Sequence, residues 1–415
     1  MTGYRLLFSD PRIWWWMVAT VGTRLAVCTV PLGAVFAARD HVSSYAWGAI
    51  IAGAYAAGEA IGAPTMGARF QRHSLRRELA WVAVAEAVAL VGVITCLAIE
   101  LPLAAAPLAA VAGGIASGTP GGLRTLAMNS AESTARESAL ALDSIVSQAC
   151  QLAGPALAAL LAVTWTPDAP LLIVSGGLLI VAVSAVKLPH TLVATGGDTG
   201  TTHPAAPAMS TLTVIRKIWP SMATVTVMLM ITSVLDVTLP GILEQRDASR
   251  AWAGVALSGL AATSIAGSFV YGLRRWPGRP HQHTLGLATI FAAIVVLAGL
   301  VSLPLLTVAL VVIAGLFEAP ASTARGLAVS DDLPTDAWPV GFSLLYSCGG
   351  IGYALASALS AVFLVATNAV TTLTILAVAG FSVVLATGWA EHLIYRTRGR
   401  TAPTKEPATV QNITE

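Results

Sequence analysis

Between residues 13 and 392 the chain alternates apolar runs of about twenty residues with short polar turns, and this pattern restricts it to one kind of fold. A helix crosses about 30 Å of hydrocarbon with roughly 20 apolar residues. Inside hydrocarbon each peptide group must find its partner within the protein, which a helix provides on its own. Twelve such runs are expected, at about 13–37, 45–66, 79–99, 102–126, 139–163, 171–186, 219–240, 251–273, 284–301, 305–329, 338–365 and 370–392. With 56% hydrophobic and 11% charged residues, too few charges are present to clothe a water-soluble surface of this size. The expectation is an all-α polytopic membrane protein in contact with the lipid bilayer.

Orientation follows from the cations. Residues 67–78, GARFQRHSLRRE, place four arginines between the second and third runs. Lys and Arg are retained on the cytoplasmic side. With that loop inside, nineteen of the 23 Lys and Arg fall on the cytoplasmic side, three fall outside, and Arg24 lies within a span. Both termini are then cytoplasmic, in a cell (plasma) membrane. The acidic turn at 331–336 does not oppose this, because acidic residues contribute little to orientation. Trp14, Trp15 and Trp16 read as an interfacial belt ahead of a span that is not cleaved.

The longest connection divides the spans six and six. Residues 189–215 hold no hydrophobic period and read as a cytoplasmic linker between bundles at 1–188 and 216–392, with a disordered tail at 393–415. Sequence echoes recur at about 200 residues. GGLRTLAM around Arg124 is answered by STARGLAV around Arg325, and CQLAGPALAAL by CGGIGYALASAL. A duplicated unit with an even number of spans gives two parallel bundles related by an axis along the membrane normal. That architecture rocks about a site near the midplane.

GARFQRHSLRR resembles the loop signature G-x-L-A-D-R-x-G-R-R of the major facilitator superfamily. Gly67 stands at its first glycine, Arg72 and Arg76 at basic positions, and Arg77 just beyond. Gln71 replaces the usual acidic residue, Ser74 the second glycine and Leu75 a basic residue. Gly154 and Pro155 resemble part of the antiporter signature of span five, with Cys150, Ala158 and Ala159 at three of its glycine positions. The stretch GSFVYGLRRWPGR is similar to uncharacterised actinobacterial-type members. The resemblance implies a twelve-helix carrier that works as a monomer. It tilts the reading towards efflux of a small organic or amphipathic compound by proton antiport, as in drug exporters.

Charged groups inside spans are costly, so they are the candidates for function. Arg24 lies midway along span one as a partner for substrate or a carboxylate. Glu59 in span two, Glu86 in span three, Asp236 in span seven and Glu318 in span ten are candidate proton or substrate sites. Glu318 precedes Pro320, whose missing N–H frees a backbone carbonyl. Arg24 and Glu59 are expected to pair. Asp143 is expected to pair with Arg72, Arg76 or Arg124 as part of a gate, while Gly154 and Pro155 shape span five. Cys28, Cys96, Cys150 and Cys348 read as small apolar residues, and neither metal nor cofactor is implied. Net charge +2 gives no nucleic-acid signature, and no Walker motif suggests direct ATP drive. No clustered His, Asp and Glu suggests an enzyme. A proton-coupled importer of a small metabolite is the second reading, and a non-transport membrane protein the third.

Overall fold

The computed structural model describes residues 2–130, 135–188, 209–249 and 251–401. A short helix, α1 (Thr2–Ser9), precedes the spans. The first bundle holds α2 (Arg12–His41), α3 (Tyr45–Arg72), α4 (Leu75–Ala98), α5 (Pro102–Ala116), α6 (Thr119–Ser130), α7 (Arg136–Thr164) and α8 (Ala169–Ser184). The second holds α9 (Thr211–Gln245), α10 (Ala251–Gly272), α11 (Pro280–Leu300), α12 (Pro304–Asp332), α13 (Trp338–Ala366) and α14 (Ala369–Thr401). Helices α5 and α6 form one span, interrupted at Ser117 and Gly118, so the spans number twelve.

Eleven described spans are long and apolar enough to cross a membrane. Helix α3 has the length, 28 residues, but carries Glu59 and several glycines. It packs inside the protein, against α5 in its own bundle and α13 in the other, rather than against lipid alone. The outer surface is apolar. Val88, Val163, Ile180, Val183, Leu305 and Trp389 are each more than half exposed, which only a bilayer makes favourable at this scale.

The helix boundaries differ from the expected ones at several places. The expected loop at 67–78 shrinks to His73 and Ser74, because α3 continues to Arg72 and α4 starts at Leu75. Arg69 on α3 grips Glu78 on α4 with two hydrogen bonds of 3.0 and 3.1 Å, closing the turn. Helix α9 starts at Thr211, inside the expected linker, because Ser210 caps it by accepting from the Thr213 N–H at 3.3 Å. The last helix runs to Thr401, past the expected end at His392. Leu393, Arg396 and Arg398 are good helix formers, so leaving the apolar run does not stop it. The expected linker at 189–208 and the tail from 402 lie outside the described residues. Trp16 leaves the proposed belt. It is buried on α2, and its indole N–H donates to the Leu123 carbonyl of α6 at 2.8 Å.

Each bundle has its own core. One joins Ala26, Tyr55, Val82, Leu90 and Leu178 with their neighbours, and the other joins Val227, Leu235, Phe291 and Val311 with theirs. A third cluster, with Met128 and Leu140 from the first bundle and Ile218, Leu327, Trp338 and Phe342 from the second, seals the two together. It sits at the end of the molecule that bears Arg69, Arg72, Arg76 and Arg77.

Helices gain no hydrophobic drive from meeting one another in lipid, so close backbone packing must hold them. The α3–α5 seam shows the device. A Cβ at Gly113 would overlap the Tyr55 carbonyl, and one at Gly58 would overlap the Ala110 carbonyl. Gly113→Val should therefore lower the Tm of the detergent-solubilised protein, with a cost of about 1–3 kcal/mol for forcing the seam apart. Gly176→Ala, where the new Cβ meets open space, should leave the Tm unchanged.

Candidate transport site

The centre of the first bundle is an ion triad. Arg24 on α2 donates from Nη2 to Asp143 Oδ1 at 2.7 Å. Arg124 on α6 donates from Nε to Asp143 Oδ2 at 2.7 Å, and its Nη2 lies 2.6 Å from the same oxygen. Asp143 on α7 is fully buried. Arg24 also donates to the Ser147 hydroxyl at 3.0 Å. One carboxylate thus ties three helices and balances one of two cations. Of the partners expected for Asp143, Arg124 is the one the structure supplies. Arg72 and Arg77 are exposed and Arg76 is half-buried, all at the end of the α3–α4 hairpin.

The expected Arg24–Glu59 pair does not form. Arg24 is turned to Asp143, and Glu59 faces the second bundle, where it accepts from the Tyr346 hydroxyl of α13 at 3.3 Å. Glu59 and Arg24 sit on neighbouring helices, but helix rotation aims them at different partners. Glu86 on α4 is buried and accepts from the Tyr55 hydroxyl at 2.9 Å. Tyr55 is thus the donor that satisfies a buried carboxyl.

In the second bundle Glu318 is the hub. It accepts from the Thr232 hydroxyl of α9 at 2.9 Å and the Ser264 hydroxyl of α10 at 3.0 Å. The Gln148 side chain of α7 approaches the same carboxyl from across the bundle boundary. Helix α12 stays continuous through Pro320, whose missing N–H leaves the Leu316 carbonyl without its helical donor. A Cβ at Gly267 on α10 would overlap that carbonyl, so the freed backbone lies against a glycine. Asp236, nearer the opposite end of α9, is half-buried and accepts from the Tyr353 hydroxyl at 2.8 Å.

Sequence reasoning missed a second buried ion pair. Arg325 on α12 donates to Glu391 on α14 at 2.5 Å and to the Ser221 and Thr224 hydroxyls of α9 at 3.0 and 3.4 Å. The signal was present, since Arg325 stands where the repeat places Arg124. Glu391 carried no such echo. Also missed was Glu78, which supplies beside the loop an acidic partner that Gln71 does not.

The remaining predicted residues shape the frame. Gly67 lies against Ser343 and Val340 of α13, where a Cβ would come within 2.9 Å of Ser343 Cβ. Gly154 lies against α2, where a Cβ would come within 2.5 Å of Cys28 Cβ. Pro155 follows it, exposed, in an unbroken α7. The bundles meet at the arginine-rich end through further polar contacts. Ser138 donates to the Gly272 carbonyl at 2.5 Å, Ser347 donates to the Ala60 carbonyl at 2.8 Å, and the Ser144 and Thr323 hydroxyls lie 2.9 Å apart. Arg124 lies over the Phe342 ring and Arg136 over the Trp338 ring, at 5.7 and 5.5 Å from the centroids. A cavity of about 30 Å³ lies just above this closure, between Arg24, Thr119, Ser147, Gln151 and Tyr346.

Two six-helix bundles, closed on each other at one end around buried charges, define a membrane transporter fold. The family model of the Major Facilitator Superfamily matches residues 18–282, and the chain belongs to that family. It is a transporter fold rather than an enzyme. No curated protein matches the sequence. Among solved structures, a bacterial homologue of the iron transporter ferroportin in an outward-facing state superposes with TM-score 0.72 at 14% identity, covering 93% of this chain and 98% of that one. The E. coli fucose:proton symporter FucP gives 0.68 at 13% identity, covering 91% and 98%. The human organic anion transporter MFSD10 gives 0.66 at 16% identity, covering 90% and 100%.

Asp143→Asn should be the most damaging neutralisation in the first bundle. It leaves two buried guanidinium groups without a counter-charge, a loss on the order of 3–5 kcal/mol when one partner of a buried pair is removed. Thermal unfolding should show a large fall in Tm. Adding Arg124→Gln to the same chain should recover part of it, and an equal or larger fall in the double variant would refute the triad.

Proposed function

We propose that the protein is a secondary active transporter that exports a small organic compound in exchange for protons. The carrying observation is that two carboxyl groups stand at the bundle boundary: half-buried Glu59 accepts a hydrogen bond across it from Tyr346, and buried Glu318 faces Gln148 of the other bundle. A proton gained or lost there changes a bond on which the closed arrangement relies, and so biases the rocking equilibrium. Glu86 and Asp236 are secondary proton sites in this reading. The units that rock are residues 1–188 and 216–392, joined through 189–215.

Gating falls to the arginine-rich end. Gly67 sets how closely α3 meets α13. Arg124 and Asp143 hold the closure from within, and Arg72, Arg76 and Arg77 anchor the hairpin at the membrane surface. Gly154 and Pro155 keep α7 against α2 as it tilts. With the positive-inside bias, that end and both termini lie in the cytoplasm of a cell with the protein in its plasma membrane. Closure there corresponds to an outward-facing state, the state named for the ferroportin homologue. The carrier acts as a monomer, because one chain contains both bundles.

A bond across the boundary does not fix direction, so the same geometry serves a symporter. FucP, a fucose:proton symporter, shares the fold. Flux in proteoliposomes under an imposed pH gradient separates the two. Antiport gives substrate movement against the proton flow, and symport gives movement with it. Glu318→Gln should reduce gradient-driven flux by at least about tenfold while leaving substrate exchange at zero gradient, since coupling is lost and not the path. Full proton-driven flux in Glu318→Gln would remove this residue from the mechanism.

A further inference from the structure

The cavity beside Arg24 carries a statement about substrate that the fold does not make. Its polar lining is Thr23, Arg24, Thr119, Ser147, Gln151 and Tyr346. Every one of these can donate a hydrogen bond, one is a fixed cation, and no carboxyl side chain stands in the wall. The wall itself carries one cation and no anion. Arg24 and Arg124 share the one carboxylate of Asp143. Glu59 and Glu86 lie outside the wall, accepting from the Tyr346 and Tyr55 hydroxyls.

Two wall residues hold unused capacity. Arg24 Nε and Thr119 Oγ1 are both buried, and neither has a hydrogen-bond partner among the described residues. Arg24 and Thr119 are 8% and 2% exposed. Buried polar atoms left unpaired cost about 1–3 kcal/mol each, and a native site keeps that cost where a ligand or water removes it. The volume, about 30 Å³, suits a water or a small polar head and no more. Tyr346 comes from the second bundle and the other lining residues from the first, so separation of α13 from α2 widens the space.

We propose that this cavity is the subsite for the carboxylate of an organic anion, with Arg24 as its counter-charge and Thr119, Ser147 and Gln151 as donors. The transported compound is then a monoanion rather than a cation or a neutral molecule. This rests on the transporter reading for its physiological meaning, while its test does not require transport. A guanidinium fork meets a carboxylate with paired hydrogen bonds, which an amide or an amine cannot reproduce.

The test uses the purified full-length protein in detergent at constant ionic strength. Thermal unfolding is followed while acetate or benzoate is titrated, with acetamide, benzamide and benzylamine as matched controls. At least one carboxylate should raise the Tm saturably, and the amides and the amine should not. Arg24→Gln should weaken carboxylate binding on the order of tenfold to a hundredfold, the range for a lost hydrogen bond to a charged group. Arg124 remains to pair Asp143 in that variant. Thr119→Val, which touches no ion pair, should weaken binding by a smaller factor of about 2–10. Stabilisation by benzamide equal to that by benzoate would overturn the proposal. So would wild-type carboxylate affinity in both variants, or no stabilisation by either carboxylate. Proton-driven flux is scored separately. A protein that binds benzoate yet moves no solute refutes the transporter reading and keeps the subsite, and proton-driven cation flux without carboxylate binding does the reverse.

Discussion

A charge cannot stay ionised inside an apolar bundle without an opposite charge in contact, and this requirement fixes how the helices of the protein are turned. Asp143 meets it for two arginines at once, and thereby locks α2, α6 and α7 into one rotational setting. The second bundle meets it at the repeat-related cation with different means. Arg325 draws Glu391 from α14 and two hydroxyls from α9. The cations repeat while their partners do not. The duplicated architecture therefore survives in the backbone, and in the first bundle the shared carboxylate leaves a cation under-compensated beside a cavity. On the proposed reading, that asymmetry lets one half recognise the ligand while the other moves.

The seams differ in kind. Within the first bundle, α3 and α5 pass so closely that glycine is required on both, and any separation would lose backbone packing along the seam. Between bundles the contacts are hydroxyls donating to helical carbonyls, as with Ser138 to Gly272 and Ser347 to Ala60. Neither carbonyl has a helical donor, because Gly272 ends α10 and Pro64 stands four residues after Ala60, so these hydroxyls satisfy carbonyls the helices leave open. Both seams are specifically built, and in the proposed carrier the one between bundles, where hydroxyls and open carbonyls can turn to water, is the one that parts.

Much of this was legible in the sequence. The period and length of the apolar runs gave all twelve spans, and the cost of intramembrane charge singled out Arg24, Glu59, Glu86, Asp143 and Glu318 as residues with partners. What the sequence could not give was the partners themselves. Pairing between helices depends on rotation and depth to within an ångström or two, and Arg24 reached Asp143, 119 positions away, in preference to Glu59 on the next helix. Helix ends were misplaced for a related reason. Apolar runs report where lipid begins and ends, whereas helices stop where backbone bonding stops, so α3 and α4 run on into the arginine-rich turn and α14 runs past the membrane. Trp16 shows the limit of composition. Three adjacent tryptophans suggested one belt, but successive helical residues point about 100° apart, and the third turned inward.

The failed Arg24–Glu59 pair is also the feature that makes coupling physically tractable. Had Glu59 neutralised Arg24, a proton arriving at Glu59 would have broken a buried ion pair, at a cost of several kcal/mol. Glu59 instead accepts from the Tyr346 hydroxyl, and Glu318 from the Thr232 and Ser264 hydroxyls. In the proposed mechanism, protonation at either turns charge-assisted hydrogen bonds, worth about 1.5–3 kcal/mol each, into neutral ones. That is the scale on which an alternating-access equilibrium can be tipped in both directions. The fixed charges on Asp143, Arg24 and Arg124 hold the first bundle together, and in the proposed carrier the titratable carboxyls stand apart from them at the boundary that moves. A carrier needs its permanent charges and its exchangeable protons on separate groups, and the rotation of α2 away from Glu59 keeps them so.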